Sequence, residues 1–342
     1  MQINHNYFPL TDKIENIRYF IRQGHIIYHL IDRIKWHVFP RYYIVPKFPT
    51  HIDVEVSSAC NLRCPMCKST ELRNAGIKFG KNMDLDLYKK IINECAESSL
   101  YSIKLSWRGE PLVHPKISSM VWYAKDRGIK DVAFLTNGVL LNEDLASKLV
   151  RYDLDWISIS FDGFKEDYER IRYPAKFENV IQNVKYLREC REYFNRNKPQ
   201  IRVQSIQSVI EGREDEFLEL WRGIADKVYF IPDQVRTLNE EDYKHDPNFM
   251  CPNPWQRMVI AADGSVPQCI TDYSCSTKLG DVNTQTISEI WHSGNFNLYR
   301  KQMREGHRLE RKPCRVCGTG ALMEDDEVIV EGRKMRIRKY KK

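Results

Sequence analysis

Between residues 51 and 231 the sequence alternates short apolar runs typical of strands with amphipathic runs typical of helices. Because parallel strands need long crossover connections, this alternation predicts an α/β fold with helices outside a parallel sheet. Either an open sheet or a barrel satisfies it, and in barrels of this kind active sites lie in the loops that follow strands. The predicted strands are 52–56, 102–106, 132–135, 156–160, 201–206 and 228–231, and the predicted helices are 84–96, 115–127, 142–149, 177–194 and 214–224.

The N-terminal fifty residues differ from this region. A helical pattern runs from Thr11 to Val38, with Thr11 or Asp12 as N-cap and a bend at Gly24, and basic and aromatic residues cluster along it. Such a helix either rests on a membrane surface or packs on the main domain. We predict four parts: an N-terminal extension, an α/β core, a second domain rich in cysteine and turns, and a charged, solvated tail, with bounds 1–50, 51–235, 236–320 and 321–342.

Composition narrows the function. Ten cysteines occur in a chain whose first residues lack the apolar stretch of a signal peptide, which favours metal or thiol chemistry in the cytoplasm over a disulfide scaffold. No apolar run approaches membrane-spanning length. The net charge of +7 is modest for 342 residues and gives no reason to expect a nucleic-acid partner.

Three cysteines, Cys60, Cys64 and Cys67, follow the first predicted strand at the spacing C-x3-C-x2-C. Three thiolates can bind three irons of a four-iron cluster, whose fourth iron then remains open for a small molecule. A structural zinc site needs four donors, and only three cysteines lie together here.

This loop resembles the signature of radical S-adenosylmethionine (SAM) enzymes, and the resemblance extends over residues 53–232. It implies a partial (β/α)6 barrel, a SAM-binding [4Fe-4S] cluster and SAM. The segment 107–111 is similar to the family's GEP motif, which holds the SAM amino group, and segments 136–138 and 158–163 are similar to loops that line SAM. Arg172 matches an arginine that pairs with the SAM carboxylate, although it could also be an exposed surface residue. The implied cofactor-binding residues are Met66 (where the family usually has an aromatic residue), Gly109, Glu110, Pro111, Thr136, Asn137, Ser160, Arg172 and Gln204.

A second cysteine group, Cys251, Cys269, Cys314 and Cys317, lies in the C-terminal part. Its spacing resembles the start of the SPASM extension found after many radical SAM domains, here in the shortened "twitch" form with one auxiliary [4Fe-4S] cluster in a small α+β domain. A zinc site is the alternative. We also predict a hairpin of residues 258–261 and 266–270 and a helix starting at Ile287. The implied metal ligands are Cys60, Cys64 and Cys67 for the first cluster and Cys251, Cys269, Cys314 and Cys317 for the second.

The resemblance implies that SAM cleavage yields a radical that removes a hydrogen atom from the substrate. With an auxiliary cluster as electron acceptor, the expected reaction is a two-electron oxidation of a small carbohydrate-like alcohol. A flavodoxin or ferredoxin would donate electrons. Sugar epimerisation and peptide modification are the alternatives within the family, and a non-catalytic iron–sulfur electron-transfer protein is the alternative outside it. Cys275, Asp272 and Asp162 are the catalytic candidates, and Tyr229, Asp233 and Tyr273 are further candidates for substrate contacts.

Overall fold

A computed structural model of the protein describes residues 8–9, 21, 24–77, 80–231 and 244–340. Its centre is a sheet in the order β1-β7-β6-β5-β4-β3-β2-β8, in which β2 to β8 run parallel and β1 is antiparallel to β7. The predicted α/β fold with a partial barrel is confirmed. The strands are β1 (Phe8–Pro9), β2 (His51–Val54), β3 (Ser102–Lys104), β4 (Asp131–Thr136), β5 (Trp156–Ser160), β6 (Gln200–Ile206), β7 (Lys227–Ile231) and β8 (Arg257–Ile260).

The helices lie in the connections between strands, where the sequence pattern places them. Asp84 and Asn142 cap two of these helices by accepting hydrogen bonds from backbone N–H groups. Two helices of seven residues each were not predicted, because so few residues give little periodicity. The α-helices of the described residues are Ile26–Arg41 (here the N-terminal helix), Lys68–Asn74, Leu85–Glu97, Ile117–Asp126, Glu143–Arg151, Lys165–Ile171, Phe177–Tyr193, Gln207–Ile210, Glu214–Trp221, Ile287–Trp291, Gly294–Arg304 and Lys312–Arg315.

The barrel interior is polar because successive strand residues point to opposite faces. On β2, Ile52 and Val54 are fully buried in the apolar core, whereas Asp53 between them is fully buried among charged groups. The Asp53 carboxylate accepts hydrogen bonds from Arg257, with Nη2 at 2.8 Å, and pairs with Lys104 Nζ at 2.7 Å. This three-residue ion cluster ties β2 to both of its neighbours in the sheet.

The hairpin predicted around Gly264 is wrong in its pairing. β8 joins the free edge of β2 in parallel, and the following strand β9 (Ser265–Pro267) pairs antiparallel with β10 (Lys278–Asp281). The turn itself is present, with Gly264 at φ 88°. The local pattern could not reveal that the partner of Arg257 is Asp53, a buried carboxylate on a strand about 200 residues earlier.

The N-terminal helix differs from its prediction at its C-terminal end. The predicted helical pattern stops at Val38, whereas the helix continues to Arg41 with Pro40 inside its last turn. A proline there cannot donate to the carbonyl of Trp36, and the side-chain amide of Gln256 donates to that oxygen instead. Gly24, at φ 73°, precedes the helix, and the predicted N-cap lies outside the described residues.

The C-terminal segment is not an irregular tail. Strands β11 (Met323–Val330) and β12 (Arg333–Tyr340) form an antiparallel hairpin that places acidic residues opposite basic ones, such as Glu324 opposite Lys339 and Asp325 opposite Arg338. The predicted domain boundary at 235/236 and the predicted contact residue Asp233 lie within segment 232–243, outside the described residues.

In the described part of the chain, no helix has both the length and the apolar character needed to cross a membrane.

We predict that Asp53→Asn destabilises the fold by about 3–5 kcal/mol, because it removes the fully buried carboxylate shared by the half-buried cations Arg257 and Lys104. Burial opposes ionisation of Asp53, but the two cations outweigh it and hold the pKa of Asp53 well below its usual range. The stabilisation is therefore present above about pH 4, near the usual carboxyl pKa, and is lost as the pH falls toward the pKa in the folded state.

Urea unfolding of wild type and variant between neutral and acidic pH measures this difference. The matched control is Asp86→Asn, which removes an exposed carboxylate and should leave the midpoint nearly unchanged. Equal midpoints for wild type and Asp53→Asn at neutral pH would contradict the role of the ion cluster.

Candidate active site

The first three cysteines lie together in the loop after β2. Cys64 is buried, and Cys60 and Cys67 are half-buried. Polar groups from two later loops face the thiols: Asn137 Nδ2 is 4.0 Å from Cys60 Sγ, and Arg172 Nη1 is 3.9 Å from Cys64 Sγ. Burial raises the pKa of Cys60 to about 11 and also raises that of Cys64. Thiolates in this loop therefore need positive charge nearby, such as iron.

Gly109 lets the loop after β3 approach the cysteine loop closely. A Cβ atom at this position would overlap the carbonyl oxygens of Ser57 and Ala59. The next residue, Glu110, donates its N–H to Ala59 O at 2.8 Å. Only glycine fits at this contact, so the first residue of the predicted SAM motif fixes the distance between the two loops.

The Glu110 carboxylate organises the loop after β4. Its Oε1 accepts hydrogen bonds from Thr136 Oγ1 at 2.5 Å and Leu112 N at 3.0 Å, and its Oε2 accepts one from Asn137 N at 2.7 Å. Burial nevertheless raises the pKa of Glu110. Asn137 extends the network by donating to Asn61 Oδ1 at 2.8 Å, so the cysteine loop and the segments 107–111 and 136–138 form one connected unit.

Arg172 is oriented by Asp162. The carboxylate of Asp162 is buried, accepts Arg172 Nε at 2.6 Å and also accepts Ile206 N at 3.0 Å. Arg172 is thus an ion-paired residue rather than an exposed one. With its oxygens engaged in this way, Asp162 positions Arg172, and its catalytic role stays a prediction.

Ser160 and Gln204 lie on neighbouring strands. Gln204 Nε2 donates to Ser160 Oγ at 3.3 Å, and Gln204 Oε1 accepts from Ser158 Oγ at the same distance. Gln204 also lines a polar cavity of about 470 Å³ that extends toward the end of the barrel where the strands begin, as does Tyr229. Of the remaining cofactor candidates, Met66 packs half-buried against the core and Pro111 begins a short 3₁₀ helix.

The C-terminal cysteines form a second group. Cys269 and Cys314 are buried, and Cys251 and Cys317 are half-buried. Burial and mutual repulsion raise the pKa of Cys269 to about 11 and that of Cys314 to about 12, and hold that of Cys251 well above its usual value. Gln268 Nε2 donates toward Cys314 Sγ at 3.2 Å. The four thiols are thus close enough to influence one another's charge.

Glu55 and Arg108 connect the two domains, and sequence analysis assigned no role to Glu55. Arg108 Nε and Nη2 donate to the buried Glu55 carboxylate at 2.8 and 2.7 Å, and Arg108 Nη1 donates to Tyr273 O at 2.9 Å. Trp107 stacks on Tyr273 with ring centroids 6.2 Å apart. In the sequence, Glu55 stands between Val54 and Val56 in a strand that is buried on both faces. A charged residue at such a position indicates that a buried cation must pair with it.

The loop 270–277 of the C-terminal domain carries the other two catalytic candidates. Cys275 has a left-handed backbone, φ 51°, and its Sγ lies 3.5 Å from Arg108 Nη1. Asp272 is buried and accepts hydrogen bonds from Ser276 N, Ser276 Oγ and Thr277 N at 2.8–2.9 Å. These contacts show that Asp272 holds the turn, whereas the Cys275 thiol accepts a hydrogen bond from Arg108, and the catalytic roles of both residues stay predictions.

The two thiol groups fit iron–sulfur clusters. All ten cysteines are free thiols, the seven in these groups are buried or half-buried, and three of them (Cys60, Cys64 and Cys314) lie beside side-chain N–H donors. In the parts of the chain that the structure describes, no three His, Cys, Asp or Glu side chains are arranged to hold a single metal ion. In a cluster each iron binds its own thiolate, so the groups need not converge on one atom.

Comparisons with known proteins agree with this assignment. A family model described as the radical SAM superfamily matches residues 54–194, and one described as an iron–sulfur cluster-binding domain, SPASM, matches residues 251–318. The probable GTP 3′,8-cyclase of Methanococcus maripaludis is 34% identical over 132 residues, which are 38% of this chain and 43% of that protein. The chain therefore aligns with less than half of the cyclase.

Two further matches extend over most of the chain. The S-adenosyl-L-methionine-dependent 2-deoxy-scyllo-inosamine dehydrogenase of Niallia circulans is 24% identical over 279 residues, covering 81% of this chain and 95% of that protein. The crystal structure of BtrN in complex with AdoMet and 2-DOIA has the same fold, with a TM-score of 0.55 at 21% identity and coverage of 79% and 92%. The two family models together cover more than half of the 342 residues. The chain is a radical SAM enzyme with a C-terminal SPASM domain, and this family membership implies SAM, a SAM-binding [4Fe-4S] cluster and an auxiliary iron–sulfur cluster as its cofactors.

Proposed function

We propose that the protein oxidises a secondary alcohol of a small carbohydrate-like molecule to a ketone. The four C-terminal thiols carry the proposal, because they match the number that one auxiliary cluster needs to accept an electron from a substrate radical. The 2-deoxy-scyllo-inosamine dehydrogenase, to which the chain aligns over 95% of that protein, supports an aminocyclitol or sugar-like substrate.

When bound, the cofactors would supply a 5′-deoxyadenosyl radical that removes the hydrogen atom from the carbinol carbon and a cluster that accepts the second electron, while the hydroxyl proton is released to solvent. In this proposal Cys60, Cys64 and Cys67 bind three irons of the first cluster. Glu110 Oε2, which accepts one hydrogen bond from Asn137, offers its other lone pair to the SAM ammonium. Arg172 keeps Nη1 on the cluster side for the SAM carboxylate, while Asp162 holds its other nitrogens. A flavodoxin- or ferredoxin-type protein supplies the electron.

The primary test is anaerobic reconstitution with iron, sulfide, SAM and dithionite, with 2-deoxy-scyllo-inosamine as the probe. We expect 5′-deoxyadenosine and about one ketone per SAM cleaved, because each turnover consumes one radical precursor. The Cys60→Ala/Cys64→Ala/Cys67→Ala variant should lose both products.

Cys95→Ala is the matched control, because Cys95 is a buried thiol in the helix Leu85–Glu97 and should not affect either product. 5′-Deoxyadenosine at the level of the triple variant would contradict catalysis and favour an electron-transfer protein. Formation of 5′-deoxyadenosine without ketone would support an enzyme that cleaves SAM but would contradict a carbohydrate-like alcohol as its substrate.

The auxiliary cluster has its own test. Cys251→Ala should lower bound iron from about eight to about four atoms per chain, since one of two four-iron clusters is lost. It should also abolish ketone formation while 5′-deoxyadenosine is still released. Cys190→Ala, in the helix Phe177–Tyr193, is the control and should keep the wild-type iron content. Unchanged iron in Cys251→Ala, or zinc in its place, would remove the auxiliary cluster from the proposal.

Epimerisation is the second candidate, and Cys275 is the observation that favours it. Burial raises the pKa of Cys275, so the thiol keeps its S–H bond at neutral pH and has a hydrogen atom to return to a substrate radical. For the dehydrogenase we expect Cys275→Ala to keep ketone formation, with no deuterium from D₂O at the reacting carbon. Solvent deuterium in the product of wild type, lost in Cys275→Ala, would select the epimerase.

A further inference from the structure

The N-terminal helix meets the barrel through its polar side. Asp32 is 4% exposed, and Tyr101 OH lies 3.2 Å from His25 Nδ1 and 3.4 Å from His29 Nδ1. Trp36 is attached through the hydrogen bond from Gln256 to its carbonyl oxygen. An amphipathic helix on a globular domain normally turns its apolar side inward, so this helix is oriented in the opposite sense.

The polar cavity of about 470 Å³ explains why the N-terminal helix turns its polar side inward. It lies between the N-terminal helix and the end of the barrel where the strands begin, and its wall combines helix residues with charged strand residues. His25, His29 and Arg33 line it from the helix, and Lys104, Asp131 and Arg202 line it from the strands. Apolar side chains facing this cavity would desolvate those charges, so the polar side of the helix fits here.

The outward side carries an apolar stripe, which we define as Ile27, Leu30, Ile31 and Ile34. These residues repeat at helical spacing and are 68%, 54%, 46% and 62% exposed. Exposed aromatic and aliphatic residues continue the surface beyond the helix: Tyr42, Tyr43, Ile44 and Val45. A continuous exposed apolar surface of this kind marks an interaction site.

The charges around the apolar stripe indicate which kind of partner it binds. The stripe is accompanied by the exposed cations Lys35, Arg41 and Lys47, and Lys130 Nζ lies 5.8 Å from the Tyr28 ring. Within residues 24–50 of the described chain the only acidic residue is Asp32, which is buried beside Arg33. Apolar residues with tyrosines and a cationic border are the composition of helices that lie in the headgroup region of anionic bilayers.

We infer that the N-terminal helix docks the enzyme on an anionic membrane surface. A second copy of the chain fits less well, because a two-fold contact would bring the same cations together. Residues 10–23 of this chain also fit less well, since their sequence has three basic and two acidic residues and does not complement the cationic border.

Docking through the N-terminal helix would fix the orientation of the enzyme on the membrane. The helix lies at the strand-start end of the barrel, whereas the SAM loops follow the strand ends. The membrane would contact the end of the barrel where the strands begin. The loops at Cys60 and Glu110 would then face the solution, where an electron donor can reach them.

The test is flotation of the reconstituted holoenzyme with phosphatidylcholine vesicles and with vesicles that also contain phosphatidylglycerol. Wild type should float with the anionic vesicles. Ile27→Ser/Ile31→Ser/Ile34→Ser should lose at least about tenfold in binding, since it removes the apolar contact. The matched control Tyr193→Ser/Leu298→Ser/Leu309→Ser changes three exposed apolar residues elsewhere and should bind like wild type.

A charge variant, Lys35→Glu/Arg41→Glu/Lys47→Glu, should lose the preference for phosphatidylglycerol. Wild-type iron content and 5′-deoxyadenosine release in every variant verify that the enzyme is folded. Wild type that does not float with anionic vesicles overturns the inference. If wild type does not bind vesicles but a variant lacking residues 1–23 does, the inference is overturned, because those residues would then cover the stripe. A dimer that dissociates in the stripe variant, without vesicle binding, overturns it in favour of a second copy.

Discussion

The buried ion pair between Glu55 and Arg108 is the constraint on which the catalytic end of the molecule depends. Glu55 is fully buried just beyond β2, where a carboxylate without a cation would cost several kcal/mol. Its partner immediately precedes Gly109, so the loop that approaches the cysteines is fixed by the same pair. Arg108 then uses its remaining nitrogen to hold the carbonyl of Tyr273. One guanidinium therefore joins the strand, the SAM loop and the SPASM domain.

The barrel as a whole follows the same principle of charges buried in pairs. Asp53 with Arg257 and Lys104, and Asp162 with Arg172, place neutralised ions on the interior face while the opposite face of each strand is apolar. A polar interior costs stability relative to an apolar one of equal volume. It also allows the barrel to present oriented charges at its mouth, where a charged cofactor such as SAM requires them.

Much of this was predictable from local pattern. The strands after which the site loops follow, the helix caps at Asp84 and Asn142 and the two cysteine groups all depend on residues close in sequence. The failures depend on distant partners. Arg108 pairs with Glu55, a buried residue 53 positions earlier in the chain, which the residues around Arg108 do not indicate. Arg257 starts a strand of the main sheet, not of a hairpin, because Asp53 lies across from it. The sequence pattern left open whether the N-terminal helix packs on the main domain, and it could not reveal the polar cavity toward which the polar side of the helix turns.

The position of β8 has a consequence for the order of events during synthesis. β2 carries the cysteine loop, yet one of its two hydrogen-bonded neighbours, β8, is made about 200 residues later. Until then the edge of β2 is unpaired and Asp53 lacks Arg257, and such a distant pairing forms slowly. The first cysteine loop therefore reaches its final geometry only after the start of the SPASM domain, which contains β8, has emerged from the ribosome. Assembly of the first cluster is thereby coupled to synthesis of the domain that holds the second.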